Sequence, residues 1–512
     1  MTPRTLTLDG ASLTPADVTA LARHSAVPDV DPAARERMVQ ARKVAEEVVT
    51  RQRVYGLTTG VGANRTTTIT DEAAAGHGIR LLRSHSGGIG PLVPVEQTRA
   101  MLAVRLNQLL RAGSAISAEV ADRLADALRS GHVPVVHEYG SVGTGDLSAL
   151  AELGLALAGE QPWRSGTGEG PAPAPLRLDR WDALPLMSSS ALTIGQAALA
   201  QHELSLLMDT VPLIAALSLT VVRGSTEPYG AVVHALRPYA GATRVAARMR
   251  ELLDPVPWEP ALIQDPFGFR CLPQVHGAAL DASDALEQVL AIELNCSAEN
   301  PLLSLEPAEY HHHGGFHQAS LALSMDQLRL ALLGTAQLSS ARVGVLVSPV
   351  FTGLPPFLAQ DEEGSSGIMI TEYAAQSALA ELRHLAQPVT LGHAVLSRGV
   401  EEHASFAATG ARQLLASVGI LRLILGCELV AAIRALRMHG IILDPAGPLG
   451  RFQQEAGAVL DPGNADRDLT PDVEAAAALL GAAGAGLLGA AGPGLLGTAG
   501  PGAAGAAAGG VA

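Results

Sequence analysis

Residues 414–433 read LLASVGILRLILGCELVAAI. Leu414, Val418, Leu421 and Leu425 recur at intervals of four, three and four, which stacks them on one helix face. Leu415, Ile424 and Leu429 widen that face until little polar surface is left. Such a helix is buried on most sides, either centrally in a bundle or against another subunit. Arg422 and Glu428 interrupt the run, so it reads as a bundle helix and not as a membrane span.

The same spacing returns upstream in Leu321, Met325, Leu328 and Leu332. From Ser188 to about Met438 the chain is mostly helices of this kind, which together predict a long bundle. Nearer the N-terminus the texture changes. RTLTLDG (4–10) alternates apolar and polar residues and ends in Asp-Gly, a short strand and turn. DPAARERMVQARKVAEEVV (31–49) has helical periodicity, while residues 160–185 are rich in Pro and Gly and form a loop or short hairpin. After about Pro471 the composition collapses to Ala, Gly, Leu and Pro, too often broken for a stable helix. The expected fold class is mainly α, a long helical bundle with a smaller mixed N-terminal domain. The expected division is 1–187, 188–470 and a disordered, non-catalytic tail 471–512.

The 512 residues carry 35 Lys and Arg against 50 Asp and Glu, a formal charge of -15. That balance excludes non-specific nucleic-acid binding, which needs a basic footprint. Cys271, Cys296 and Cys427 form no CxxC pair and are odd in number, which points to a reducing cytoplasm. The first residues lack the apolar core of a secretory signal. A soluble cytoplasmic protein acting on small molecules is the expectation, with no nucleic-acid or membrane partner.

Several clusters fall outside the bundle pattern. VYGLTTGVGANR (54–65) sets the phenol of Tyr55 on a glycine-rich loop. LLRSHSGGIG (81–90) carries His85, and a lone loop histidine is more often a surface or capping residue than a ligand or base. QDPFGFRCLPQVHGAALD (264–281) surrounds Arg270 with apolar residues, so it needs an anionic partner, either an internal carboxylate or that of a ligand. SRGVEEHASF (397–406) places Glu401, Glu402 and His403 ahead of a long helix, where acids also serve as dipole partners. YHHHGGFHQ (310–318) is rich in histidine, but consecutive histidines cannot all face one ion, and no metal is expected there. Finally EYGSVGTGDLSALAELG (138–154) packs glycines, Ser141 and Thr144 in front of an apolar helix, with Asp146 as its expected cap. Its Gly-x-x-Gly-x-Gly spacing is not the dinucleotide pattern.

In order and content these clusters resemble the aromatic amino acid ammonia-lyase and aminomutase family, most like the histidine-specific branch. Tyr55 to Gly62 match a Tyr-Gly-x-x-Thr-Gly-x-Gly loop, and Ser84, His85, Gly88 and Gly90 match Ser-His-x-x-Gly-x-Gly. QDPFGFRCLPQ is similar to Gln-Asp-Pro-Tyr-x-x-Arg-Cys-x-Pro-Gln, HGGFH with Phe316 to Gly-Gly-Asn-Phe-His, and Glu401-Glu402-His403 to Glu-Asp-His. The resemblance runs from about residue 5 to about 440. It implies a homotetramer of long helices whose active sites draw on several subunits. It also implies a cofactor made from the chain itself, by cyclisation and double dehydration of an Ala-Ser-Gly tripeptide into an electrophilic imidazolone. The implied reaction removes ammonia from an aromatic L-amino acid, histidine first, to give the unsaturated acid. Tyr55 would be the general base, its pKa lowered for the task with help from positive helix ends. Arg270 would clamp the substrate carboxylate, with Gln264 alongside, and His85, Phe316 and Glu401 would bind the side chain or amine.

The sequence departs from the family pattern at the site itself. Anchored on Gly145-Asp146-Leu147, the tripeptide becomes Gly143-Thr144-Gly145, which can close to an imidazolone-type ring bearing an ethylidene. Anchored from the left, the serine is missing and no electrophile forms. Phe267 replaces a tyrosine, Ile194 an asparagine, and Gly399-Val400 an Asn-Gln pair. An aminomutase, or an inactive or repurposed homologue that binds an amino acid or a homologous subunit, is the alternative to a lyase.

Overall fold

The computed structural model describes residues 3–74, 76–166, 171–254, 258–360 and 363–486. The chain forms two compact units, one of residues 1–204, 282–334 and 377–421 and the other of 205–281, 335–376 and 422–512. Every boundary falls inside a helix: Ala191–Val222, Leu272–Glu293, Ala319–Leu346, Met369–Leu385 and Ala407–His439. The division expected after residue 187 does not match these units. Helices of 30 residues or so are about 45 Å long, more than one compact core spans.

The fold is mainly α, as the periodicity predicts. Leu321, Met325, Leu328, Leu332, Leu414, Leu421 and Leu425 are all fully buried. The stretches Ala183–Val222 and Ala407–His439 have the length and composition of membrane spans. Their apolar windows are 94% and 67% buried inside the fold, as core helices of a bundle are.

In the first unit, strand Arg4–Leu8 pairs in parallel with Ala26–Val30. The helix between them, Pro15–Ala22, starts from a capping box in which Thr14 and Asp17 satisfy each other's backbone N–H. Ile89–Leu92 pairs with His137–Tyr139, and His132–Pro134 with Trp163–Ser165, both antiparallel. The Val95–Leu109 helix is buried continuously from Thr98 to Leu109. Arg105 on it is compensated by an ion pair to the equally buried Glu299 (2.7 Å) and a bond to Leu186 O (3.1 Å).

The second unit is organised around Glu428, one of the two charges that interrupt the apolar run. Its carboxylate accepts from Arg342 Nε (2.6 Å) and Nη2 (2.8 Å), Ser218 Oγ (2.8 Å) and Ser339 Oγ (2.6 Å). His276 is buried in the same unit, with Nε2 donating to Met208 O and Nδ1 accepting from Thr335 Oγ1, each at 3.1 Å. Burial pulls its pKa down to about 4 from an ordinary 6.5. Between those values the unfolded chain holds the proton and the folded chain does not, so stability is complete above pH 6.5 and falls as pH drops toward 4. The loss is about 3 kcal/mol. Urea unfolding at pH 7 and pH 4.5 will show a smaller acid loss in His276→Gln than in the native chain.

One expectation is corrected here. The tail was expected to be disordered from residue 471, but Thr470–Gly486 is a helix. Val473 packs against the cluster of Val343, Ala375 and Cys427, and Ala476 and Leu480 are buried. Packing of this face outweighs the poor propensity of its glycines. Residues 487–512, the rest of that expected tail, lie outside the described residues.

Candidate active site

The segment 140–146 leaves strand His137–Tyr139 and enters helix Leu147–Leu157. Gly143 has φ +89° and Gly145 φ +112°, conformations closed to most side chains. A Cβ on Gly143 would lie 2.2 Å from Ser405 Oγ and 2.6 Å from Ala407 N, so an alanine has no room there. The loop is held atom by atom. Ser141 Oγ donates to Gly145 O (3.0 Å) and accepts from Gly143 N (3.2 Å). Gly143 O accepts from Ser405 Oγ (2.8 Å) and from Gln318 N (3.3 Å), and Val142 O from Phe406 N (2.8 Å).

Asp146 occupies the N-cap position of the Leu147–Leu157 helix, but its carboxylate makes no bond to that helix. It accepts instead from Thr193 N (2.8 Å) and Thr193 Oγ1 (2.9 Å), and so caps the first turn of the Ala191–Val222 helix. Full burial raises its pKa, against hydrogen bonds from Thr193 and Ser141. The expected cap is thus spent on a neighbouring helix, a choice that only the tertiary arrangement determines.

Beside the loop the first unit opens a cavity of about 690 Å³. Tyr55, His85, Thr144, Gly145, Phe316 and Glu401 all line it, so clusters scattered from residue 55 to residue 401 converge here. Gly143 lies behind it, against Ser405. Val400 lines the cavity, whereas Ile194 is fully buried in its helix and does not.

The Tyr55 hydroxyl accepts from Gly62 N at 2.5 Å, and its backbone N–H donates to His312 Nε2 at 3.1 Å. The phenol pKa is raised and not lowered: burial raises it most, and the Glu401 carboxylate adds to this. The Gly62 N–H and the Arg65 charge oppose the rise. The donor at Gly62 belongs to a single 3-10 turn, Gly62–Asn64, too short for the helix-end help that was expected. His85 ends helix His77–His85, and its Nδ1 lies 2.9 Å from Leu81 O. A donating Nδ1–H leaves Nε2 as an acceptor.

Arg270 and Gln264 belong to the second unit and do not line this cavity. Arg270 is half-buried, not enclosed as its neighbours suggested. It donates to Gln264 Oε1 (2.6 Å), lies 4.7 Å over the Phe267 ring, and makes no ion pair among the described residues. The Phe267 ring is itself 64% exposed.

The cavity also holds residues that the sequence reading did not single out. Arg65 brings a cation beside Tyr55, and Ser188, Ser189 and Asn300 add polar atoms. His317 Nε2 and His403 Nδ1 stand 3.0 Å apart, so one of the two rings donates to the other. Arg65 was in plain view at the end of VYGLTTGVGANR, and Asn300 in ENPLL (299–303), a stretch that also follows the family pattern; the two serines had no local signal. In the histidine run, His313 binds Glu299 O (2.7 Å) and accepts from Gly315 N (2.9 Å). Among the described residues no three His, Cys, Asp or Glu side chains are grouped to hold a metal.

The family described as aromatic amino acid lyase matches residues 13–457. A histidine ammonia-lyase from Symbiobacterium thermophilum is 34% identical over 486 residues, covering 92% of this chain and 96% of that protein. The ergothioneine-degrading enzyme ergothionase from Treponema denticola, solved with desmethyl-ergothioneine sulfonic acid, superimposes with a TM-score of 0.84 at 28% identity. That match covers 93% of this chain and 98% of the other. Tyrosine aminomutase from Streptomyces globisporus gives a TM-score of 0.87 at 26% identity, covering 95% and 98%.

Proposed function

Because the chain belongs to the aromatic amino acid lyase family, a family of carbon–nitrogen lyases, we propose that it eliminates ammonia from an aromatic L-amino acid, histidine first. The observation that carries this reading is one cavity lined by the Tyr55 phenol, Thr144 of the glycine loop, His85 and Glu401.

The residues present fit a self-made ring. Gly143 and Gly145 hold φ values that glycine alone tolerates easily, Gly143 O has two donors, and Thr144 lines the cavity. Once formed from Gly143, Thr144 and Gly145, such a ring supplies an electrophile that assists departure of the amine. The chain's own residues do the rest. Tyr55 takes the Cβ proton as a phenolate, which Gly62 N–H stabilises by hydrogen bond and Arg65 by charge. His85 Nε2 accepts from the imidazole N–H of the substrate, and Glu401 pairs with its ammonium. Phe316 packs against the ring of the substrate. We assign the carboxylate clamp to Arg270, pre-set by Gln264, in a homotetramer whose sites use more than one copy.

The test has two readings. The intact mass of the purified protein will fall short of the unmodified chain by two waters; a full mass removes the self-made ring. Incubation with L-histidine will release ammonia and raise the ultraviolet absorbance of the unsaturated acid. A β-amino acid as the main product would instead make the enzyme an aminomutase.

A further inference from the structure

Ring closure needs its own catalysis, because an amide nitrogen is a weak nucleophile and an amide carbonyl a weak electrophile. We propose that Ser405 Oγ–H and Gln318 N–H form an oxyanion site that catalyses cyclisation of residues 143–145. The proposal rests on the reading that the ring forms. Both groups donate to Gly143 O, at 2.8 Å and 3.3 Å. That oxygen belongs to the carbonyl that must be attacked. Among the described residues no hydrogen bond engages the Gly145 N–H, so the nucleophile is free.

The step balances without an outside reagent. The Gly145 nitrogen bonds to the Gly143 carbonyl carbon, and the carbonyl electron pair moves onto oxygen, where the two donors meet it. The Gly145 amide proton passes to that oxygen. Loss of the hydroxyl with the Thr144 amide proton expels the first water and leaves a carbon–nitrogen double bond. Loss of the Thr144 hydroxyl with its Cα proton expels the second and leaves the ethylidene. Nothing is oxidised or reduced.

Ser405 is placed for this at a cost. Phe406, which follows it, holds φ +55°, and Ser397 and Arg398 in the same segment hold +52° and +59°. Non-glycine residues in that region are strained. The strain is held by contacts on the loop: Phe406 N donates to Val142 O (2.8 Å), one peptide before the donor pair on Gly143 O. Ser405 Oγ also lies 3.4 Å from Ala407 N, at the start of the Ala407–His439 helix. The hydroxyl therefore has two roles, a donor to the loop and an acceptor for the helix, and the test separates them.

The experiment follows intact mass with time after cell-free synthesis of the full chain. The native chain must lose two waters; if it never does, the ring reading fails and this proposal with it. If the native chain does cyclise, Ser405→Ala is expected to do so roughly 10²-fold more slowly, the usual effect of removing one oxyanion donor. Ser405→Thr, which keeps the hydroxyl, is expected to restore the rate. Ser405→Asp keeps an acceptor for the helix but offers no donor, and is expected to be as slow as Ser405→Ala. Thermal unfolding of each variant checks that it folds. A folded Ser405→Ala or Ser405→Asp that cyclises at the native rate overturns the proposal.

Discussion

Tyr55→Phe lowers kcat/KM for the amino acid substrate by roughly 10²–10⁴-fold, the range that a general base contributes. The substitution removes one oxygen and leaves the packing of the ring. The lost atom is the acceptor for Gly62 N–H at 2.5 Å. Burial and Glu401 hold the Tyr55 phenol above its ordinary pKa. Activity that depends on a phenolate will therefore rise with pH through the neutral range, along a limb that Tyr55→Phe lacks. Glu401→Gln removes the carboxylate that pushes the phenol up and is expected to move that limb to lower pH. A rate unchanged in Tyr55→Phe removes the base assignment, and the two-water mass deficit in the same sample shows whether the ring is intact.

Glu428→Ala destabilises the chain by about 3–5 kcal/mol, because it leaves the Arg342 charge buried without its partner. Both side chains are fully shielded from solvent, and Ser218 and Ser339 lose their acceptor as well. Arg342 Nη1 keeps its bond to Gly268 O (2.8 Å), which is too little to compensate a full charge. The double change Glu428→Leu with Arg342→Met is expected to be markedly milder than Glu428→Ala, since it removes both charges together. Urea unfolding followed by circular dichroism measures all three. A Glu428→Ala midpoint equal to that of the native chain would falsify the network's structural role.

What was legible in the sequence was whatever depends on period. The sets at 321–332 and 414–425 fixed both the helices and their buried faces, because a helical stripe is a local code. The convergence of Tyr55, His85, Thr144, Phe316 and Glu401 followed from the family resemblance, and the cavity brings them together. Illegible was whatever depends on a distant partner. Asp146 has the sequence position of a cap, yet its carboxylate serves Thr193, 47 residues away. Arg270 looked enclosed because its sequence neighbours are apolar, yet Phe267 beside it is exposed. The helix at Thr470–Gly486 was hidden because its stability comes from the surface it covers and not from its glycine-rich composition. The phenol of Tyr55 moved opposite to expectation because burial outweighs a single backbone donor.

The bond from Ser405 to Gly143 joins residues 262 positions apart. At about 5–20 residues per second, roughly 13–50 s separate their emergence during synthesis. If that bond drives ring closure, a half-made or misfolded chain carries an inert glycine loop and no reactive alkene to alkylate its neighbours. Maturation then works as a quality check: the electrophile appears only in molecules whose two distant segments have already met, so the dehydrated fraction counts correctly assembled copies.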